Sequence, residues 1–235
     1  MTVLDQSLFR DAGDAWWSGR AFRSLRAVKV FQLERIQRFV TGGVANLDVV
    51  DVGCGGGLLS VPLAQHGARV TGVDIEPSCV EVAAEAARAR RLPCRFVVGD
   101  ARALPLEDAS ADVVVLSDVL EHVRPPDAAI AEAARVLRPG GRLYVNTIHR
   151  SAWAGFWAIT VAEGLGFVPR GTHDARLFVT PDELVSMAAE AGLALRRIEG
   201  ESPRVLATLR AGAIQLRPSR SLGVAYGALF QRTSA

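Results

Sequence analysis

The stretch VVDVGCGGGLLS, residues 49–60, constrains this chain more than any other. An apolar run ends in glycine at 53, 55, 56 and 57, and a second apolar run follows at once. The first run reads as a buried strand and the second as the start of a helix. Glycine at such a junction lets the backbone approach a ligand closely. The motif therefore marks a nucleotide-type site at the carboxyl end of a strand. A nicotinamide dinucleotide is disfavoured. A GxGxxG fingerprint begun at Gly53 needs glycine where Leu58 stands, and one begun at Gly55 needs it where Ser60 stands.

Around this turn the pattern alternates. LDVVDVG, ARVTGVD, CRFVVGD, ADVVVLSD and RLYVNTI predict five strands. Helices are predicted at about 57–66, in PSCVEVAAEAARARR and in PDAAIAEAARVL. Apolar strands alternating with helices predict an α/β fold with a doubly wound, mostly parallel sheet. Residues 5–41 read as helical, with Phe22, Leu25, Val28, Phe31, Leu33 and Ile36 near helical spacing. An irregular insert follows the fifth strand, then a helix at 181–191 and strand-like LALRRIE and LGVAYGALF. We expect one domain: a cap at 1–43, a core at 44–148, an insert at 149–180 and a C-terminal part at 181–235.

Bulk composition narrows the function. A net charge of +2 gives no global electrostatic case for nucleic acid. Cys54, Cys79 and Cys94 form no CxxC pair, which suits a reduced, cytoplasmic protein. The opening MTVLDQSLFRDAGDAWW carries no apolar signal-peptide core. The most membrane-like stretch, residues 151–169, is interrupted by Glu163 and three glycines.

Three acids stand at adjacent strand ends. Asp74 follows the glycine turn at a spacing that suits a carboxylate accepting from ribose hydroxyls. Asp100 either holds the exocyclic amine of a base or caps the next turn. Asp51 either orders the glycine turn or faces the ligand's amino group. Such a set suits a ligand with positive charge and hydroxyls better than a pyrophosphate.

DVGCGGGLLS, VTGVDIEP, VGDARALP and VLEHV with VLRPGG together resemble the class I S-adenosylmethionine-dependent methyltransferases, over roughly residues 45–147. The resemblance implies a seven-stranded sheet with S-adenosylmethionine as cofactor. It implies Gly53 and Gly55 lining the cofactor, Asp74 at the ribose, Ile75 beside it among the cofactor-binding residues, Asp100 and Ala101 by the adenine, and Ser117 beside the methionine part. Outside that core, DAWW, FRSL, NTIHRSAWAGFWAITVAEGLGFVPRGTHD and LFVTPDELVSMAAEAGL are similar to the ubiquinone-biosynthesis O-methyltransferase family, so the match reaches nearly from 5 to 200. That family methylates phenolic hydroxyls of catechol-like precursors. Two places depart from it. AVKVFQLER stands where the family has an arginine and a proline, and ESPRVLATLRAGAIQLRPSRS stands where it has a Tyr-Asn-Pro-like stretch. A secondary-metabolite aromatic therefore stands beside a quinone precursor as the expected acceptor.

For the chemistry, SDVLEHV offers Asp118, Glu121 and His122 at i, i+3 and i+4, one face of a helical turn. The resemblance implies a divalent ion such as Mg2+ on these three positions. The alternative has the glutamate capping a helix and the histidine touching cofactor or substrate. His173, beside Asp174, is a second candidate, as a base oriented by an acid or as a loop-ordering residue. His149, just past the fifth strand, is a third. In the insert, Trp153, Phe156, Trp157, Val161 and Leu165 suit a lid over an aromatic acceptor, peripheral contact with a membrane through 151–169, or packing on the sheet. The expected activity is transfer of a methyl group to a phenolic oxygen, releasing S-adenosylhomocysteine, by a monomer or homodimer. Methylation of an amine or sugar hydroxyl, and a non-catalytic S-adenosylmethionine-binding subunit, are the alternatives.

Overall fold

β-Branched residues fit a pleated surface packed on both faces, and valine dominates the central strands. In the computed structural model, which describes residues 10–233, five strands run parallel. They are β1 (Asp48–Val52), β2 (Arg69–Asp74), β3 (Arg95–Val98), β4 (Ala111–Ser117) and β5 (Leu137–Ile148). Val113, Val114, Val115 and Leu116 of β4 are wholly buried, as befits a strand covered on both sides.

Three further strands continue the sheet: β6 (Leu193–Pro203), β7 (Leu216–Ser219) and β8 (Ala225–Arg232). The full order is β3-β2-β1-β4-β5-β8-β6-β7, with β8 antiparallel to both its neighbours and β7 antiparallel to β6. Among the described residues the sheet thus has eight strands where the family resemblance implied seven. The addition is β7, which pairs Leu216–Ser219 with the last residues of β6.

The helices are α1 (Ala15–Ser18), α2 (Arg23–Phe39), α3 (Ser60–Gln65), α4 (Pro77–Ala89), α5 (Pro126–Val136), α6 (Ala152–Gly155), α7 (Pro181–Glu190) and α8 (Val205–Ala211). Proline sits in the first turn of α4, α5 and α7, where its missing N–H is not needed. Thr180 and Glu183 form a capping box on α7. α6 runs directly into a π-helix, Phe156–Glu163. The helical region expected from residue 5 begins, at 5–9, outside the described residues.

One sheet face packs against α5 and α7 through Ile130, Ala133, Leu184 and Ala188. The other packs against α2 and α3 through Ile36, Phe39 and Leu63. Helix α2 departs from its apolar pattern. Gln32 and Arg35 are wholly buried, while Val30 is 59% exposed. Part of its inner face, at Gln32 and Arg35, is thus polar, while Ile36 and Phe39 remain in the core.

Candidate active site

A cavity of about 1060 Å³ opens at the carboxyl ends of β1, β2 and β4 and runs under α2 and the insert. Its first half is built from the glycine turn. Gly53 and Gly55 adopt φ of +69° and +50°, which side-chain-bearing residues rarely do. A Cβ on Gly53 would stand 2.6 Å from Val119, and one on Gly55 2.5 Å from Trp16. The buried Trp16 indole thus presses on the turn, and Trp17 Nε1 donates to the Gly56 carbonyl at 3.0 Å. The DAWW segment therefore splints the turn.

Asp74 completes this half. Its Oδ2 accepts from Gly55 N at 2.7 Å and its Oδ1 from Glu76 N at 3.0 Å. Burial raises its pKa despite those hydrogen bonds. Gly53, Gly55, Asp74, Ile75, Asp100, Ala101 and Ser117 all line the cavity. Asp51 does not. It is buried, accepts from Ser60 Oγ at 2.5 Å, and burial pushes its pKa to about 6. Of its two expected roles, the geometry matches ordering of the turn. Asp100 is already paired. Arg102 forks onto both its oxygens at 2.6–3.1 Å and lowers its pKa.

The second half differs from expectation. Residues 118–123 form a turn and not a helix, because Asp118 takes φ of +58°, a conformation aspartate tolerates. Asp118, Glu121 and His122 therefore do not share a helical face. Asp118 Oδ2 accepts from Lys29 Nζ at 3.0 Å and from Gln32 Nε2 at 2.9 Å. Lys29 Nζ also donates to Ser117 O and Oγ, at 3.0 and 3.1 Å. Glu121 is buried and accepts from Thr147 Oγ1 at 2.8 Å. Burial, then the Asp118 charge, lifts its pKa to about 7. Among the described residues no group of three His, Cys, Asp or Glu is arranged to hold a metal ion. With Lys29 and Gln32 on the Asp118 carboxylate, the three expected donors do not fit a divalent ion.

The histidines separate clearly. His122 lines the cavity, but burial and the proximity of His173 push its pKa down to about 4. His149 is not among the lining residues, and its Nδ1 pairs with the Leu222 carbonyl at 2.9 Å. His173 lines the cavity with its Nδ1 3.0 Å from Glu163 Oε1. The acid at His173 is thus Glu163, not its neighbour. Asp174 instead caps a 3-10 turn and pairs with Arg176 at 2.6 Å.

Several residues here carried no sequence signal that was read. Gln32 Nε2 donates to Asn146 Oδ1 at 2.7 Å, Asn146 Nδ2 donates to Glu201, and Arg35 Nη1 donates to Glu201 Oε1 at 2.7 Å. Lys29, Gln32 and Arg35 recur every three residues on α2, a polar stripe that helical spacing places on one side. That stripe was the available clue. The remaining wall is apolar: Trp157, Val161 and Leu165 from the insert, and Val205 and Leu209 from α8. Trp153 and Phe156 stack on each other at 5.6 Å, both substantially exposed.

Known proteins match this arrangement. Residues 50–145 fit the family model described as a methyltransferase domain. The chain is similar to an S-adenosylmethionine-dependent methyltransferase structure from Aquifex aeolicus, with a TM-score of 0.64, 15% identity and coverage of 97% of this chain and 99% of that one. It is also similar to one from Methanosarcina mazei, with a TM-score of 0.60, 23% identity and coverage of 81% and 94%. At such identities the likeness speaks for the fold. Sheet order, glycine turn and family match together define a class I S-adenosylmethionine-dependent methyltransferase. In sequence, the chain is 35% identical over 209 residues to the ubiquinone biosynthesis O-methyltransferase of Coxiella burnetii (strain RSA 331), covering 85% of this chain and 88% of that protein. It is 36% identical over 195 residues to that of Ralstonia nicotianae, covering 82% and 81%. This chain belongs to the ubiquinone biosynthesis O-methyltransferase family.

Proposed function

We propose that this enzyme methylates a phenolic or catecholic oxygen on a small aromatic ring bearing an apolar substituent, a quinone precursor or a related metabolite. The observation that carries the proposal is a single cavity that joins the strand-end cradle to an apolar chamber containing His122 and His173. The names of the relatives point to the same acceptor class.

When bound, S-adenosylmethionine supplies an electrophilic methyl group on a sulfonium. Gly53, Gly55 and Ser117, which line the same end of the cavity, would face its methionine part. Asp74 would accept from the ribose hydroxyls. Ile75, Asp100 and Ala101, which line the neighbouring strand ends, would hold the adenosine part, with Asp100 already paired to Arg102. The insert excludes water and holds the ring in line, an alignment that supplies a large part of the acceleration. A cavity histidine receives the phenol proton. His149, with its ring committed to Leu222, and a divalent ion on Asp118, Glu121 and His122 are not part of this mechanism.

The rim also supports peripheral membrane contact. Trp153, Phe156, Leu206 and Leu209 are exposed beside the chamber. Among the described residues no helix is long and apolar enough to cross a membrane. Sedimentation with anionic vesicles checks this; loss of binding in Trp153→Ser and Leu206→Ser supports it.

The test of function is methyl transfer from labelled S-adenosylmethionine to a panel of catechols, phenols, amines and sugars, with Mg2+ and with chelator. The expected product is an O-methylated catechol formed at the same rate in both. Transfer to amines alone rejects the oxygen acceptor. Loss with chelator and recovery with Mg2+ reinstates the metal on Asp118, Glu121 and His122.

A further inference from the structure

We propose that Glu163 and His173 form a general-base dyad carried wholly by the insert. Glu163 is its positioning residue, and Nε2 of His173 is the atom that takes the acceptor's proton. The proposal rests on the phenol reading above.

Glu163 is the single charged residue between 151 and 169, and it is only 6% exposed. A carboxylate buried among apolar neighbours is costly unless donors surround it. Three do. Gly171 N reaches Oε2 at 2.7 Å, and His173 N and Nδ1 reach Oε1 at 2.9 and 3.0 Å. Burial alone would raise its pKa, but these hydrogen bonds outweigh it and the net shift is downward. The glutamate therefore faces His173 as an anion. Two of its three donors are backbone amides, so the same carboxylate closes the loop that carries the histidine.

Glu163 is also the last residue of the π-helix that begins at Phe156. Such helices are rare and cluster at functional segments. The His173 ring stands edge-on to Phe178 at 6.1 Å, which steadies its plane.

A carboxylate on Nδ1 fixes the proton there and leaves the Nε2 lone pair for a ligand. No partner for Nε2 is found among the described residues, and His173 lines the cavity. The other titratable groups that face it are Glu121 and His122 on the turn after β4. Glu121 is held by Thr147, and His122 is a weak base with its pKa near 4. Neither has an anion oriented on a free imidazole.

In the step, the phenol proton passes to Nε2 while an oxygen lone pair forms the new bond to the methyl carbon. The carbon–sulfur electron pair returns to sulfur, which becomes a neutral thioether. The imidazolium, balanced by Glu163, gives its proton to water once product leaves. Base and orienting acid thus both belong to the insert.

The experiment compares wild type, His173→Asn and Glu163→Gln on phenols of graded acidity, with cofactor affinity measured separately by calorimetry. General-base loss typically costs about 10²–10⁴-fold. For His173→Asn we expect a kcat lowered roughly 10²-fold on an ordinary catechol, at unchanged cofactor Kd, with the deficit vanishing on a nitrophenol already ionised at the assay pH. Glu163→Gln should lower kcat about 10-fold at unchanged cofactor Kd. Independently of turnover, 15N spectra of the cofactor-free protein should show the Nδ1–H tautomer at His173, and Glu163→Gln should erase that preference. An unimpaired His173→Asn, an equal deficit on every phenol, or an unaltered tautomer in Glu163→Gln each overturns the dyad. A wild type that methylates no phenol overturns the reading beneath it, and is told apart because His173→Asn then has no rate to lose.

Discussion

On the side proposed for the cofactor the wall is built around a glycine turn at the end of β1, with Asp74 and Asp100 at the next two strand ends. On the acceptor side the wall is side chains, brought from α2, the turn after β4, the insert and α8. The first half is local. Asp74, at the end of β2, bonds Gly55 in the turn after the adjacent β1, across 19 residues. The second half is long-range, with Gln32 reaching Asp118 across 86 residues and Arg35 reaching Glu201 across 166. Binding of the cofactor and handling of the acceptor are thus separable properties, and substitutions should divide along that line.

The largest effect should come from the acceptor side. Arg35→Ala leaves Glu201 buried without its counter-charge, which costs about 3–5 kcal/mol of stability. Urea unfolding measures it, and replacing Arg35 and Glu201 together by apolar residues should recover much of the loss. Next is Gly55→Ala, which forces a side chain into φ of +50° and against Trp16. Backbone strain alone is about 1–3 kcal/mol, so cofactor Kd should rise on the order of 10²-fold once the Trp16 clash is added. Asp74→Asn should weaken cofactor binding roughly 10-fold, from about 1.5–3 kcal/mol per charged hydrogen bond, while kcat at saturating cofactor stays near wild type.

The smallest effect is a pH slope. Asp51 has its folded pKa raised to about 6 from 3.8. Its contribution to stability is therefore full below about pH 4 and is lost as pH rises through 6. Asp51→Asn should flatten the stability profile across that window. His122, lowered to about 4 from 6.5, acts in the opposite sense, its contribution falling as pH drops through that range. Thermal unfolding from pH 4 to 7 of Asp51→Asn and His122→Asn resolves the two.

Legibility followed the same division. Valine-rich strands, glycine and strand-end acids are read one element at a time, and five parallel strands with Gly53, Gly55, Asp74 and Asp100 emerged from them, while Ile75, Ala101 and Ser117 came with the family resemblance. The helical face of Asp118, Glu121 and His122 failed because helical spacing says nothing of a left-handed φ at Asp118. Lys29, Gln32 and Arg35 went unread because their partners lie on β4, β5 and β6. The acid beside His173 was taken from its neighbour in sequence, while the π-helix delivers one from ten residues away. β7 was missed because a four-residue edge strand rich in arginine and proline has no alternating pattern.

The most direct test of the central claim is the carbon spectrum of the product formed from 13C-methyl S-adenosylmethionine and a catechol bearing an apolar chain. An aryl methoxy signal, formed equally with chelator present, is the predicted result. A label found only on nitrogen acceptors, or an aryl methoxy signal that appears only when a divalent ion is supplied, would contradict the account.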